Sequence, residues 1–292
     1  MDEVVVRLVG GMGNQMFQYA AAKAVALRSG ANLVLDLSWF LTTNDRRYAL
    51  APLRITARTT SQMFSSSRNA RLIKKAVYWL SERIVKLHPG NRAFSEQHFH
   101  FDPEILEVRA PVCLHGYFQS EKYFAEFRNV IASEFTVTTP PQFLARAILE
   151  KMASQDTICL HIRRGDYVAN PTTNAFHGVC SLEYYERGLR MVSEGLVNPH
   201  CYIFSDDPQW VRANYNCPLP MSVMDIHGSD EAHEDLRLMT ACKHFVIANS
   251  SLSWWGAWLG SHPQKRVVAP ENWFRGNAPD TKDLIPERWA RI

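Results

Sequence analysis

Short continuous apolar runs alternate along the chain with segments whose apolar residues recur every three or four positions. Residues 4–9 read as a buried strand that runs into Gly10, Gly11 and Gly13. In the next segment Phe17, Ala20, Ala21, Ala24 and Val25 fall at helical spacing, with Asn14 as the expected N-cap and Gly30 as the stop. A second strand is expected over 31–37, another over 112–117, and a helix over 122–134. Two threonines and two prolines at 138–141 break the pattern, and a helix over 141–152 opens a more regular half. That half reads as strands 157–162, 201–205, 222–226, 244–248 and 266–269. Helices separate them, one capped by Ser181, one started by Asp207 and Pro208, and one over 231–242. Alternating strands and helices predict an α/β fold with parallel sheets and right-handed crossovers, divided into domains 1–140 and 141–292.

Three polar clusters, 163–166, 205–207 and 249–253, each follow directly on a predicted strand. Ligands in parallel sheets bind at the carboxyl ends of strands, so these clusters are expected to share one crevice. Arg163 and Arg164, at the mouth of a buried strand beside Gly165, call for an anion and can clamp phosphate oxygens. Ser250, Ser251 and Ser253 start a helix, where hydroxyls, free amides and the dipole favour negative charge. Asp206 or Asp207 can accept from a base edge; N-capping alone is the plainer alternative. Trp254, Trp255 and Trp258 read as helix-packing residues. No spaced aspartate triad stands in the acidic run from Asp225 to Asp235, so metal independence is the expectation.

Composition narrows the class. With 292 residues, 46% hydrophobic and 21% charged, the chain is globular and long enough for two domains. A net charge of +3 gives no ground for a nucleic-acid partner. The six cysteines are scattered and form no C-x-x-C pair, which fits a reducing compartment. The N-terminal apolar stretch is too short for a signal peptide, and no run approaches the roughly 20 residues that span a bilayer. A cytoplasmic protein follows, or one peripheral at the inner membrane. Over 68–87 an apolar stripe of Ile73, Val77, Leu80, Ile84 and Leu87 is flanked by Arg71, Lys74, Lys75, Arg83 and Lys86. Such a helix packs on its own domain or, in the minority reading, meets an anionic membrane. The opening glycine loop also invites comparison with dinucleotide dehydrogenases, with Asp36 near the ribose position. Met16, however, stands where the third glycine belongs.

Four blocks carry a more specific likeness: Gly-Gly-Met-Gly-Asn-Gln-Met-Phe-Gln-Tyr-Ala (10–20), His-Ile-Arg-Arg-Gly-Asp-Tyr (161–167), Phe-Ser-Asp-Asp (204–207) and Asn-Ser-Ser-Leu-Ser-Trp-Trp-Gly-Ala-Trp-Leu (249–259). In content, order and spacing they resemble the α-1,2-fucosyltransferases of glycosyltransferase family 11, in a bacterial form. The resemblance implies a GT-B fold of two Rossmann-like domains facing a central cleft, the N-terminal one on the acceptor side, with the extreme C-terminus a candidate to pack back onto it. It implies inverting, metal-independent transfer of fucose from GDP-fucose to the 2-hydroxyl of a terminal galactose, in an O-antigen or similar glycan. No cofactor is needed. By motif, His161 and Arg163 would contact the GDP, Asp206 the guanine, and Asn249 with Ser250, Ser251 and Ser253 the diphosphate. Gly11, Gly13, Asn14 and Gln15 would close over the phosphates. Asp166 is the nearest carboxylate for a catalytic base, or else orients the arginines. A non-catalytic nucleotide- or glycan-binding module stands as the alternative class, and an NAD-dependent oxidoreductase as a third.

Overall fold

The computed structural model describes residues 2–60, 92–165, 168, 171–228, 230–276 and 279–292, the side chains of 171–173 excepted. Asp166 and the basic helix expected over 68–87 lie outside the described residues. The chain forms two compact units, one of Met1–Thr136 with Asp280–Leu284, the other of Val137–Pro279 with Ile285–Ile292.

In the first unit, strands β1 (Glu3–Arg7), β2 (Asn32–Asp36), β3 (Arg58–Thr60), β4 (Arg92–Ser95) and β5 (Val112–His115) form one sheet. Its order is β3-β2-β1-β5-β4 and every pairing is parallel. The chain steps from β1 outward to β3, then returns on the other side of β1. The order therefore reverses between β1 and β5. Helix α1 (Met12–Ser29) connects β1 to β2 and is buried on almost every side. Its alanines let it sit close to the sheet, and Gly30, at φ 60°, ends it in the left-handed conformation. The helix starts earlier than expected: Gly10, at φ 77°, turns the chain and Gly11 is the N-cap. Asn14 therefore lies inside the first turn, where its Oδ1 accepts from Gln119 Nε2 at 2.9 Å.

The helix expected over 122–134 is shorter than predicted. Two 3-10 turns (Glu121–Tyr123 and Ala125–Phe127) precede α2 (Arg128–Glu134). Tyr123, the last residue of the first turn, and Phe124, between the two turns, are both fully buried. Strands β3 and β4 escaped the pattern because they are short, largely exposed edges. The segment Asp280–Leu284 is tied to this unit by Asp283. Its carboxylate accepts from Lys122 Nζ at 2.6 Å and Phe101 N at 3.1 Å, and its carbonyl from Ser120 Oγ at 2.7 Å.

The second unit has strands β6 (Asp156–Ile162), β7 (Pro199–Ser205), β8 (Met221–Met224), β9 (His244–Val246), β10 (Val267–Ala269) and β11 (Ala290–Arg291). The order is β11-β10-β9-β6-β7-β8, again wholly parallel. Here the order reverses between β6 and β9. The extreme C-terminus thus belongs to this sheet, as β11. The connecting helices are α3 (Phe143–Ala153), α4 (Pro171–His177), α5 (Leu182–Ser193), α6 (Pro208–Asn214), α7 (Ala232–Thr240) and α8 (Ser251–Leu259). Ser181 caps α5 as expected, its Oγ accepting from Tyr184 N at 3.1 Å. Helix α4 stands between the end of β6 and α5. Trp254, Trp255 and Trp258 are fully buried, which bears out their packing role. None of the six cysteines is in a disulfide, and no described helix is long and apolar enough to cross a membrane.

Each unit is thus an α/β layer around a parallel sheet, and two Rossmann-like units in one chain are what the GT-B expectation requires.

Helix α5 presses on the second sheet through Gly188. A Cβ there would lie 2.7 Å from Val246 Cγ1 and 3.3 Å from Val268 Cγ1. Both neighbours are buried strand residues that cannot withdraw. A Gly188→Ala variant is expected to lose about 1–3 kcal/mol of stability, read as a lower midpoint in chemical denaturation.

Candidate active site

Strands β9, β6 and β7 are neighbours and parallel, so the polar clusters at their carboxyl ends share one rim. The reversal of strand order falls within it, between β6 and β9, which is where such sheets open a ligand crevice.

One carboxylate organises the β6 and β7 ends. Asp206 Oδ2 pairs with Arg163 Nε at 3.0 Å, while Oδ1 accepts from the Arg164 amide at 2.8 Å. The Nε contact uses one of the guanidinium's five donors and fixes its plane. Gly165 is required for this approach, since a Cβ there would lie 2.6 Å from Asp206 Oδ2. Arg164 takes a different position from its neighbour. Its guanidinium carbon stands 3.6 Å over the Trp210 ring, and its buried Nε has no hydrogen-bond partner. Asp207 sets up this stack by capping α6, its Oδ1 accepting from Trp210 N at 3.1 Å. Capping is thus the observed role of Asp207.

His161 sits on β6 at 4% exposure, and its Nδ1 has no hydrogen-bond partner. Burial, and then the Arg163 charge, lower its pKa to about 4. The ring is therefore neutral at ordinary pH.

At the β9 end, Asn249 is a clip. Its Nδ2 donates to the carbonyls of His177 at 2.9 Å and Trp273 at 3.2 Å, which ties the loop after α4 to the loop after β10. Ser253 Oγ donates to Ser250 O at 3.1 Å. Ser250 is the N-cap of α8, and its side chain makes no capping hydrogen bond. The first-turn amides and the positive dipole end of this nine-residue helix thus stand at the rim beside Ser250 and Ser251.

The first unit's loop has a different chemistry. Gln15 is fully buried, its Nε2 donating to Gly10 O at 2.9 Å and Arg47 O at 2.8 Å, its Oε1 accepting from Ala49 N at 2.9 Å. Gln18 accepts from Val9 N at 2.9 Å and donates to Gly116 O at 3.2 Å. The side-chain amides of Asn14 and Gln15 are therefore braces, one engaging Gln119 and the other holding Gly10, Arg47 and Ala49. Asp36 is likewise engaged, with Arg7 Nε at 2.9 Å and Ser38 N at 2.8 Å, so the dehydrogenase comparison loses its ribose ligand.

The acidic run after β8 is internally matched: Asp225 with Arg212, Glu234 with Arg237, and Asp235 with His227. Among the described residues, no group of three or more His, Cys, Asp or Glu is placed to hold a metal ion.

The structure thus brings His161, Arg163, Arg164, Asp206, Asn249, Ser250, Ser251 and Ser253 to one rim. It puts Gly11, Gly13, Asn14 and Gln15 on the corresponding rim of the other unit's sheet. Sequence reading passed over Trp210, although the cap at Asp207 places residue 210 in the first turn of α6, close to where the paired arginines emerge.

The lowered pKa of His161 has a measurable consequence. Below about pH 6.5 the unfolded chain binds a proton there that the folded chain refuses until about pH 4. Stability should therefore fall across that interval, by roughly 2–4 kcal/mol from this residue. His244, also lowered to about 4 by burial, adds to the fall. Urea titrations of wild type and His161→Gln at several pH values isolate the His161 share, and the variant should show the shallower decline.

Comparison with known proteins gives the family. The family model described as Glycosyl transferase family 11 matches residues 2–290. An α-1,2-colitosyltransferase of Escherichia coli is 31% identical, over 100% of this chain and 99% of that protein. The O-antigen biosynthesis glycosyltransferase WbnK of Escherichia coli is 32% identical, over 98% and 99%. The galactoside α-(1,2)-fucosyltransferase 2 of Rattus norvegicus is 27% identical, over 97% of this chain and 73% of that protein. The chain belongs to glycosyl transferase family 11.

Proposed function

We propose that this glycosyltransferase moves L-fucose from GDP-β-L-fucose to the 2-hydroxyl of a terminal galactose in a surface glycan, with inversion and without a metal. The observation that carries the reading is Arg163, oriented by Asp206 at the β6 end, next to the uncapped N-terminus of α8 at the β9 end. A guanidinium and a helix N-terminus on one rim suit a diphosphate. The α-1,2 linkage is common to the names of the colitosyltransferase and the rat fucosyltransferase, and O-antigen synthesis is in the name of WbnK.

In the reaction the bond from fucose C1 to the phosphate oxygen breaks while a bond from the galactose O2 to C1 forms on the opposite face. Negative charge grows on the departing diphosphate, and Arg163 is the group to stabilise it. Its pairing with Asp206 through Nε holds the guanidinium plane before the substrate arrives, so little reorganisation is needed as the charge develops. The galactose hydroxyl sheds its proton to a base or through water. A colitosyl donor is the second reading, favoured by the name of the 31% identical relative. The two sugars differ at C3, where colitose lacks the hydroxyl.

GDP-fucose and GDP-colitose, each offered with a panel of galactose-terminated oligosaccharides, separate the two when the product linkage is determined by NMR. Transfer from GDP-fucose with an α-1,2 product is the expected result, and binding without turnover of either donor would mark a non-catalytic module. Arg163→Ala should keep its fold by circular dichroism and lose about 10²–10³-fold in kcat.

A further inference from the structure

We propose that the turn after β5 in the first unit is an acceptor platform, on which the Tyr117 ring stacks against the apolar face of the acceptor galactose. This rests on the transferase reading above.

Tyr117 stands at the carboxyl end of β5, beside the reversal of strand order between β1 and β5. That is where a parallel sheet opens its crevice. Tyr117 is 43% exposed, although it is followed by the fully buried Phe118 and preceded by β5, whose Leu114 is also fully buried. Single exposed aromatics are common on protein surfaces and need no function. This one is held out by a backbone that several groups determine together. Phe118, a bulky residue, takes φ 53°, in the left-handed region where such residues are rare. That conformation sends Phe118 into the core, where it packs at 5.4 Å from the Tyr123 ring.

Glu96, just beyond the end of β4, clamps the turn. Its carboxylate accepts from the amides of Tyr117 at 2.7 Å and Phe118 at 3.0 Å. Gly116 gives it room, since a Cβ there would lie 2.5 Å from Glu96 Cβ. Gln18 of α1 holds the Gly116 carbonyl from the other side. A strained residue, a half-buried carboxylate and a helix glutamine thus fix one turn, which carries Tyr117 at the rim. The same rim carries Trp39 after β2 and, after β4, the imidazoles of His98 and His100 stacked at 5.0 Å.

Galactose suits such a ring. Its axial 4-hydroxyl leaves the opposite face lined by the C3, C4 and C5 hydrogens, and that face lies flat on an aromatic surface. Rigid aromatic rings give contact area at small entropic cost, and a ring stack of this kind is worth about tenfold in affinity.

The test uses the intact enzyme. Acceptor KM, donor KM and kcat are measured for wild type and for Tyr117→Phe, Tyr117→Trp, Tyr117→Leu and Tyr117→Ala. Saturation-transfer NMR with methyl β-galactopyranoside, without donor, reads sugar binding alone. The Leu and Ala variants should raise the acceptor KM about tenfold and abolish the NMR signal. The Phe and Trp variants should retain both, and donor KM should stay within about twofold throughout. Leu keeps apolar bulk without a π face, so a loss there cannot be laid to an unfilled surface. An unchanged acceptor KM in the Leu and Ala variants overturns the platform and leaves the transferase reading intact. Should wild type fail to use GDP-fucose, that reading falls instead, and the NMR arm decides the platform: a signal lost in the Leu and Ala variants supports it, a signal unaltered overturns it.

Discussion

The Asp206 carboxylate is the constraint on which the second unit's rim depends. It is reached from β7 but holds two groups of β6, the Arg163 guanidinium and the Arg164 amide. As a contribution to stability the pair is modest, because both side chains are about a quarter exposed. Its effect is geometric. With the amide of Arg164 fixed, the two arginine side chains leave the strand in different directions, one toward Asp206 and one over Trp210. Gly165 and the cap at Asp207 then follow as requirements of the same arrangement. The first admits the carboxylate, and the second places the indole. Four sequence features that look independent, the paired arginines, the glycine and the two aspartates, are one mechanical unit.

The two units repeat a topology and differ in chemistry. Each sheet reverses its strand order once, and each reversal is flanked by a helix N-terminus. In the second unit the rim carries guanidinium groups and the uncapped α8. In the first, the N-cap of α1 is a glycine, and polar side chains around it, Gln15, Gln18, Asn14, Asp36 and Glu96, are engaged with backbone, Arg7 or Gln119. Aromatic rings stand on the neighbouring strand ends. One rim thus presents guanidinium groups and a helix N-terminus, the other aromatic rings beside carboxylates and amides engaged with the protein's own backbone and side chains.

Much of this was legible in the sequence, for a physical reason. Buried parallel strands are continuous apolar runs, so β1, β2, β5, β6 and β7 were readable, and their polar ends gave the rim. The edges β3 and β4 carry Arg58, Thr59 and Arg92 on exposed backbone and leave no periodic trace. Strand β11 is two residues long. The side-chain roles were harder. Asn14 has the composition of a cap, but Gly10 takes the turn first. Gln15 and Asn249 have the composition of ligand contacts, but among the backbone carbonyls they hold, that of Arg47 lies 32 positions from Gln15 and that of His177 lies 72 from Asn249. Such pairings leave no mark on local spacing. Arg164 could not be parted from Arg163 without knowing that an indole lies beside it.

The charge balance of the second unit's rim bears on how it would catalyse. Arg163 and Asp206 cancel to first order, His161 is neutral, and Asp207 is matched by the N-terminus it caps. Among the described residues, what remains is the Arg164 charge, which an aromatic ring attracts without neutralising, and about half a charge at the start of α8. Such a rim attracts a diphosphate only moderately. The paired Arg163 donates more strongly as its partner gains charge, and a leaving diphosphate gains charge as the sugar departs. An arginine already paired at rest therefore favours the transition state over the bound donor, which is the condition for raising turnover rather than affinity alone. A fully unpaired arginine cluster would hold the substrate and the spent nucleotide with equal tenacity, and product release would be slower for it.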